Sequence, residues 1–167
     1  MDEKFDALLL KNQLCFPIYA AANKIIRRYQ PLLKKLDLTY TQYIVMMVMW
    51  EKKQVNEKVL VKCLYLQANT LAPLLEKLQQ KGYVEISKDE NDKRNLIIKL
   101  TQKGSELKAK AVDVPKTLAQ ENWLTLEEAI MFKKILNKIL NDGKEDGDQM
   151  CCNIKLIKIH TYINNRR

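Results

Sequence analysis

The chain carries two hydrophobic periodicities, one after the other. Up to residue 80, apolar residues recur every three or four positions, which places them on one face of an α-helix. From residue 84 to residue 100 they alternate with polar residues, as in a β-strand with one buried face. Helical spacing returns from residue 101. The pattern predicts a mainly α protein with a small β-hairpin.

The first helix is predicted over residues 17–36, with Pro17 in its first turn. Its apolar face is formed by Ile18, Ala21, Ala22, Ile25 and Ile26. We expect the pair Gln30-Pro31 to break or kink this helix, because proline has no N–H to donate and its ring crowds the preceding turn.

A second helix begins after Thr39, which forms a capping box with Gln42. Residues 44–50 are apolar on nearly all sides, so this helix should be buried. Two shorter helices follow, in VNEKVLVKCL with Asn56 as its cap and in ANTLAPLLEKLQQKG with Gly82 as its stop. The strands YVEISK and NLIIKL, joined by the charged turn DENDKR, come next. This order of elements predicts a winged helix-turn-helix.

Two further helices are predicted beyond the hairpin. The first starts at Thr101 and is interrupted near Pro115, and the second begins at Thr125, where Glu128 completes another capping box. The second helix has an apolar stripe made of Ala129, Phe132, Leu136, Ile139 and Leu140. Because this stripe lies far from the winged core, we expect it to pack against the N-terminal helix of a second copy. A homodimer of this kind matches a palindromic DNA site.

The predicted organisation has four parts. Residues 1–36 form an N-terminal dimerisation and sensing helix, and residues 37–100 form the winged helix-turn-helix DNA-binding domain. Residues 101–142 form C-terminal dimerisation helices, and residues 143–167 form a basic tail for which the pattern predicts no structure.

The charge and composition of the chain limit the kinds of molecule that it is expected to bind. The 167 residues have a net charge of +9, which favours a polyanion, either nucleic acid or an anionic membrane surface. The sequence has no apolar run of about 18 residues and begins with acidic residues, so we expect neither a membrane span nor a signal peptide, but a cytoplasmic protein. His160 is the only histidine, which argues against a histidine-based metal site or catalytic triad. No metal or cofactor is expected.

Cys15 is the residue with the most distinctive surroundings. A cysteine in an apolar stretch is most often a small buried hydrophobic residue. Here, however, it lies at or just before a helix start, where the helix dipole favours a thiolate. Tyr19, Tyr29 and Tyr40 supply hydroxyl groups that can donate to it, and no acidic residue lies between residues 11 and 35. These features predict a reactive thiolate.

Four stretches of the chain resemble the MarR family of repressors, and most closely its organic-hydroperoxide-sensing, OhrR-type branch. They are NQLCFPIYAA, LTYTQYIVMMVMWE, LYLQANTLAPLLEKLQQKGYV and DKRNLIIKLTQKG, and the similarity covers residues 5–141. The resemblance implies a homodimeric repressor, not an enzyme, whose Cys15 thiolate is oxidised by an organic hydroperoxide to a sulfenic acid. It also implies that Tyr29 and Tyr40 of the opposite subunit hydrogen-bond to the reduced cysteine, with Tyr19 near the same pocket. Oxidation then disturbs these bonds and separates the two DNA-reading heads.

The resemblance also implies which residues meet DNA. The helix matching residues 68–80 enters the major groove, and its contacting face is expected to comprise Asn69, Thr70, Pro73 and Lys77. In the wing, the family motif Asp-x-Arg is present as Asp92-Lys93-Arg94, where Arg94 enters the minor groove and Asp92 orients it. Lys88 and Lys93 add positive charge to the wing. The alternative is that this charged tip is merely solvated.

Two departures from the family pattern affect these expectations. The chain has Gln67-Ala68-Asn69 where the family commonly has an acidic residue and a Ser-Gly pair, so its base preference is expected to differ. Residues 101–142 contain no cysteine that could resolve oxidised Cys15, so we expect a small cellular thiol or further oxidation to complete the release from DNA. Cys151 and Cys152 lie in the tail, outside the family pattern.

Two other functions stay open from the sequence. One is a MarR-type repressor that a small phenolic ligand releases, with Cys15 structural. The other is a thiol-dependent peroxidase, for which Arg27 and Arg28 are the nearest activating groups.

Overall fold

The computed structural model describes residues 3–90, 92–120 and 123–140, so the predicted tail over residues 143–167 lies outside the described residues. Two short 3-10 turns, Glu3–Leu8 and Leu10–Asn12, precede the first α-helix. The helices and strands then follow in the order α1 (Cys15–Lys34), α2 (Tyr40–Lys52), β1 (Gln54–Asn56), α3 (Glu57–Leu64), α4 (Ala68–Gln80), β2 (Val84–Lys88), β3 (Leu96–Leu100), α5 (Gln102–Ala111), α6 (Asp113–Ala119) and α7 (Leu126–Leu140).

The predicted winged helix-turn-helix is confirmed in α2 to α4 and the β-sheet that follows. The β2 and β3 strands form the antiparallel hairpin, with Val84 opposite Leu100. The sequence analysis did not predict a third strand, β1, which pairs with the other edge of β3 and makes the sheet three-stranded. The β1 strand has only three residues, too few to show an alternating pattern, and its backbone is ordered by the neighbouring strand.

Helix α1 corrects the expected effect of Pro31. The helix runs from Cys15 to Lys34 and contains Pro31, so it begins two residues earlier than predicted and is not broken at the Gln30-Pro31 pair. Pro31 lies in the last turn and is exposed, so water can hydrate the Arg27 carbonyl that lacks its helical N–H partner.

The interruption predicted near Pro115 lies instead at Val112, between α5 and α6. Pro115 occupies the third position of α6. The N–H groups of a helix's first turn have no partner within the helix, so proline is tolerated at this place.

Local capping follows the sequence predictions. The N–H of Gln42 donates to Thr39 Oγ1 at 3.2 Å, and the N–H of Thr39 donates to Gln42 Oε1 at 3.1 Å, which completes the capping box of α2. Asn56 caps α3 by accepting from the N–H of Lys58 at 2.9 Å. Gly82 adopts φ 74° after α4, a left-handed conformation that glycine adopts without steric strain.

The hydrophobic core is centred on α2, whose Val45, Met46 and Met49 are completely buried. Around them pack leucines of α1, α3 and α4 together with residues of the sheet and of α5 and α6; these are Leu33, Leu60, Leu71, Leu75, Leu78, Val84, Ile98, Leu107 and Val114. The core therefore joins the winged helix-turn-helix to the end of α1. Among the described residues, no helix is long and apolar enough to cross a membrane.

Helix α5 meets the start of the wing at Gly104. A Cβ atom at this position would lie 2.1 Å from the carbonyl oxygen of Tyr83, so only glycine fits there. The Gly104 carbonyl accepts a buried hydrogen bond from Trp50 Nε1 at 2.8 Å. One residue thus connects α2, α5 and the strand that opens the wing.

Candidate redox sensor and nucleic-acid interface

Cys15 is the first residue of α1, and its free thiol belongs to an exposed residue. The first turn of this 20-residue helix contains no acidic residue. The location of Cys15 at a helix start agrees with the prediction made from the sequence.

Tyr29 and Tyr40 form a half-buried pair at the opposite end of α1. Their ring centroids lie 5.0 Å apart, and the ring of Tyr29 also lies 5.9 Å from that of Tyr43. Burial raises the pKa of both Tyr29 and Tyr40 above the ordinary phenol value, and the neighbouring Tyr40 raises the pKa of Tyr29 further. Both hydroxyl groups are therefore protonated at neutral pH and available as hydrogen-bond donors.

Within one chain the predicted thiol and the two phenols do not meet. Cys15 and Tyr29 are fourteen positions apart on the same helix, which corresponds to about 21 Å at the helical rise of about 1.5 Å per residue. Tyr19 lies one turn from Cys15 and is 67% exposed. No hydrogen bond links Cys15 to any of these tyrosines within the described part of the chain. A contact between Cys15 and the Tyr29–Tyr40 pair requires a second copy.

Large apolar side chains are exposed at both ends of the described chain. In the N-terminal segment and the first turns of α1 they are Phe5, Leu8, Leu10, Leu14, Phe16 and Ile18. In α7, which buries no residue within one chain, they are Ile130, Met131, Phe132, Ile135, Ile139 and Leu140. Exposed apolar surface of this extent is typical of a protein–protein interface.

Helix α4 has one buried and one polar face. Leu71, Leu75 and Leu78 anchor it in the core. The four residues predicted to contact DNA are all exposed; they are Asn69, Thr70, Pro73 and Lys77. This second helix of a helix-turn-helix is thus held by its leucines while its polar face is open to solvent.

In the wing, Asp92 accepts hydrogen bonds from Arg94. The Nε–H of Arg94 donates to Asp92 Oδ1 at 3.0 Å, and the Nη2–H donates to Asp92 Oδ2 at 3.2 Å. The backbone N–H of Arg94 also donates to Oδ1 at 3.1 Å. These bonds lower the pKa of Asp92, with a smaller contribution from the charge of Lys58. The Arg94 side chain is nevertheless 90% exposed, and Lys88 and Lys93 are exposed beside it.

Sequence reasoning missed two residues of this site. Asn95 donates from Nδ2 to Asp92 Oδ2 at 3.0 Å, and no family motif pointed to it. Lys58 approaches the wing because Asn56, just before α3, pairs with Ile97 of β3. The pairing of β1 with β3 would have revealed this proximity, but β1 itself was not predicted.

Comparisons with known proteins agree with this architecture. Residues 27–111 match the family model described as the transcriptional regulator SarA/Rot. An organic hydroperoxide resistance transcriptional regulator of Bacillus subtilis is 38% identical over 140 residues, covering 84% of this chain and 95% of the relative. Overoxidized AbfR bound to DNA, the regulator from Staphylococcus epidermidis, has a TM-score of 0.68 and 30% identity, covering 81% of this chain and 96% of that chain. A cysteine-to-serine mutant of MarR from E. coli in complex with operator DNA also has a TM-score of 0.68, at 26% identity, with 83% and 99% coverage.

The fold and these relatives define a transcriptional regulator of the winged-helix, MarR type. Within this class, the chain belongs to the SarA/Rot family of regulators and to the OhrR-type branch, which confirms the resemblance read from the sequence.

Proposed function

We propose that this protein is a homodimeric repressor that binds a palindromic operator and is released when an organic hydroperoxide oxidises Cys15. The main observation behind the proposal is the distance between the Cys15 thiol and the Tyr29–Tyr40 pair within one chain. An exposed thiol begins α1, while the phenol of Tyr29 lies about 21 Å away along the same helix, in contact with Tyr40 at the start of α2. A two-fold arrangement of two chains brings each thiol to the phenols of the other.

The exposed apolar surfaces support the homodimer. The N-terminal segment and α7 leave large side chains in solvent in a single chain, and α7 has no buried residue of its own. Joining two chains through these surfaces buries them and places two copies of α4 at a fixed distance. That spacing determines which palindromic half-sites the dimer can contact.

Several features support DNA as the partner. The net charge is +9, and the polar face of α4 and the tip of the wing are both exposed. The relatives AbfR and MarR are bound to DNA in their solved structures. We infer that α4 enters the major groove with Asn69 and Lys77, and that Arg94 of the wing enters the adjacent minor groove.

The redox step needs no oxidant other than the hydroperoxide. The Cys15 sulfur attacks the terminal oxygen of R–O–OH, that oxygen keeps its hydrogen, and the O–O bond breaks with its electron pair leaving on the alkoxide. The alkoxide takes a proton from water and becomes the alcohol. Sulfur is oxidised to a sulfenic acid, and the peroxide is reduced. The new S–OH group is larger than the thiolate and carries no full negative charge, so the phenol hydrogen bonds weaken. The dimer then shifts toward a spacing of the α4 helices that no longer fits the operator.

The peroxidase alternative receives less support, because the proteins similar to this chain are transcriptional regulators. The other alternative, release by a small phenolic inducer, predicts that the inducer releases Cys15→Ser from DNA as readily as wild type.

The test is fluorescence anisotropy with DNA from the protein's own promoter, before and after a stoichiometric amount of cumene hydroperoxide. We compare wild type with Cys15→Ser and use Ser105→Ala, in α5, as a control that leaves the thiol and all three tyrosines intact. We expect oxidation to release wild type and Ser105→Ala, but not Cys15→Ser. Equal release of Cys15→Ser would place the sensor elsewhere, and absence of binding by every reduced variant would overturn the repressor assignment.

A further inference from the structure

Asn95 donates two hydrogen bonds to Asp92. Its side-chain Nδ2 donates to Asp92 Oδ2 at 3.0 Å, and its backbone N–H donates to the Asp92 carbonyl at 2.8 Å. Its own carbonyl accepts from the N–H of Asp89 at 3.0 Å, just after β2 ends. Asn95 therefore links Asp92 to the backbone that joins the two strands of the wing.

The four N–H groups on the Asp92 carboxylate divide evenly between its two oxygens. Oδ1 accepts from the backbone and the Nε of Arg94, and Oδ2 accepts from Arg94 Nη2 and Asn95 Nδ2. The Arg94 side-chain bonds arise from a long side chain that is 90% exposed. The Asn95 bond comes from a short, half-buried side chain next to a β-strand, so it restrains the carboxylate plane in a way that Arg94 cannot.

The orientation of the Asn95 amide supports this role. Its Oδ1 is buried and has no hydrogen-bond partner among the described residues. Rotating the amide by half a turn would set that oxygen against Asp92 Oδ2, where two acceptors repel. An unpaired buried acceptor is unfavourable. The orientation of the amide therefore leaves its own oxygen unpaired, but it allows Nδ2 to donate to Asp92.

We propose that Asn95 is a positioning residue for DNA recognition by the wing, acting on Arg94 through Asp92. The inference rests on the proposed function, because it assumes that Arg94 contacts DNA. Two of the five guanidinium N–H groups are used by Asp92, which leaves three for acceptors on DNA. With the carboxylate fixed, these three are held in one arrangement before DNA arrives. Less side-chain entropy is then lost on binding.

The experiment is a double-mutant cycle on operator affinity, with wild type, Asn95→Ala, Arg94→Ala and the double variant. We expect Asn95→Ala to weaken binding by about 2- to 12-fold, the range that corresponds to ordering one long side chain. In the Arg94→Ala background, Asn95→Ala should have no further effect. Lys93→Ala is the matched control, because its loss should be the same with Asn95 or Ala at position 95.

The results of the cycle distinguish a failure of the Asn95 role from a failure of the proposed function. The role of Asn95 alone would be overturned by either of two results. One is that the losses of operator affinity in the Asn95–Arg94 cycle are additive. The other is that Asn95→Ala binds the operator as well as wild type while Arg94→Ala binds it more weakly. If Arg94→Ala binds as well as wild type, the wing contact in the proposed function fails as well.

A second measurement needs no DNA. ¹⁵N relaxation of the Arg94 Nε–H should show greater mobility in Asn95→Ala than in wild type or Lys93→Ala. Unchanged mobility in a folded variant would contradict the proposal.

Discussion

Replacing Gly104 by alanine tests the junction between α5, α2 and the wing. The added Cβ would lie 2.1 Å from the Tyr83 carbonyl oxygen and 2.8 Å from Leu100 Cδ1, whereas real Cβ atoms essentially never approach a heavy atom within 3.0 Å. The Tyr83 oxygen also accepts the N–H of Thr101 at 3.1 Å, so it is not free to withdraw. Helix α5 must move by about 1 Å, judged against the usual limits of core packing.

The size of the effect follows from three contributions. Overpacking of this kind destabilises a protein by about 1–3 kcal/mol. Movement of α5 also weakens the buried bond from Trp50 to the Gly104 carbonyl, a bond of a type worth about 0.5–1.5 kcal/mol. Alanine regains about 1 kcal/mol because it favours a helix more than glycine does. We expect Gly104→Ala to lower the free energy of unfolding by about 1–3 kcal/mol.

The assay is equilibrium unfolding in urea, followed by tryptophan fluorescence at one fixed protein concentration, because the stability of a dimer depends on concentration. Ser105→Ala, the neighbouring substitution, should stay within about 0.5 kcal/mol of wild type. Gly82→Ala should lose about 1–2 kcal/mol for a different reason, because Gly82 has φ 74° but its Cβ would have no contact closer than 3.7 Å. If Gly104→Ala were as stable as Ser105→Ala, the close approach of α5 to Tyr83 would be refuted.

Three other predictions concern the core, a helix cap and the pair Tyr29 and Tyr40. Leu60→Ala removes a completely buried side chain and should cost about 2–5 kcal/mol in urea unfolding, whereas Met47→Ala, at a 49% exposed position, should cost much less; similar losses would contradict the burial. Thr39→Ala should lower the free energy of unfolding by about 1 kcal/mol through loss of the α2 cap, and an unchanged value would argue against the cap. Tyr29 and Tyr40 should ionise above the ordinary pKa of about 10 in an ultraviolet phenolate titration. Because the unfolded phenols ionise first, stability should fall as pH rises above about 10, and a flat profile there would contradict the raised pKa values.

The sequence by itself determined the features whose causes are local. The capping box of Thr39 and Gln42, the stop at Gly82 and the alternating strands of the wing depend on residues within a few positions of each other. Side-chain caps, left-handed glycine and a period of two are properties of short segments. The helix-turn-helix and its wing could therefore be predicted with their correct order.

The site was predictable only in part. Cys15 at a helix start and the exposed face of α4 follow from spacing along one helix, and the Asp92–Arg94 pair lies within three residues. The contact of Asn95 with Asp92 depends on how the turn between β2 and β3 closes, and this closure depends on the pairing of the two strands.

Only the tertiary structure decided the remaining features, because they depend on neighbours distant in the chain. Strand β1 exists because the edge of β3 accepts it, and its own three residues carry no strand pattern. The need for glycine at position 104 arises from a carbonyl 21 positions earlier, at Tyr83. The contact between Tyr29 and Tyr40 depends on how α1 turns into α2. In each case a packing contact outweighs the weak local preference of the segment.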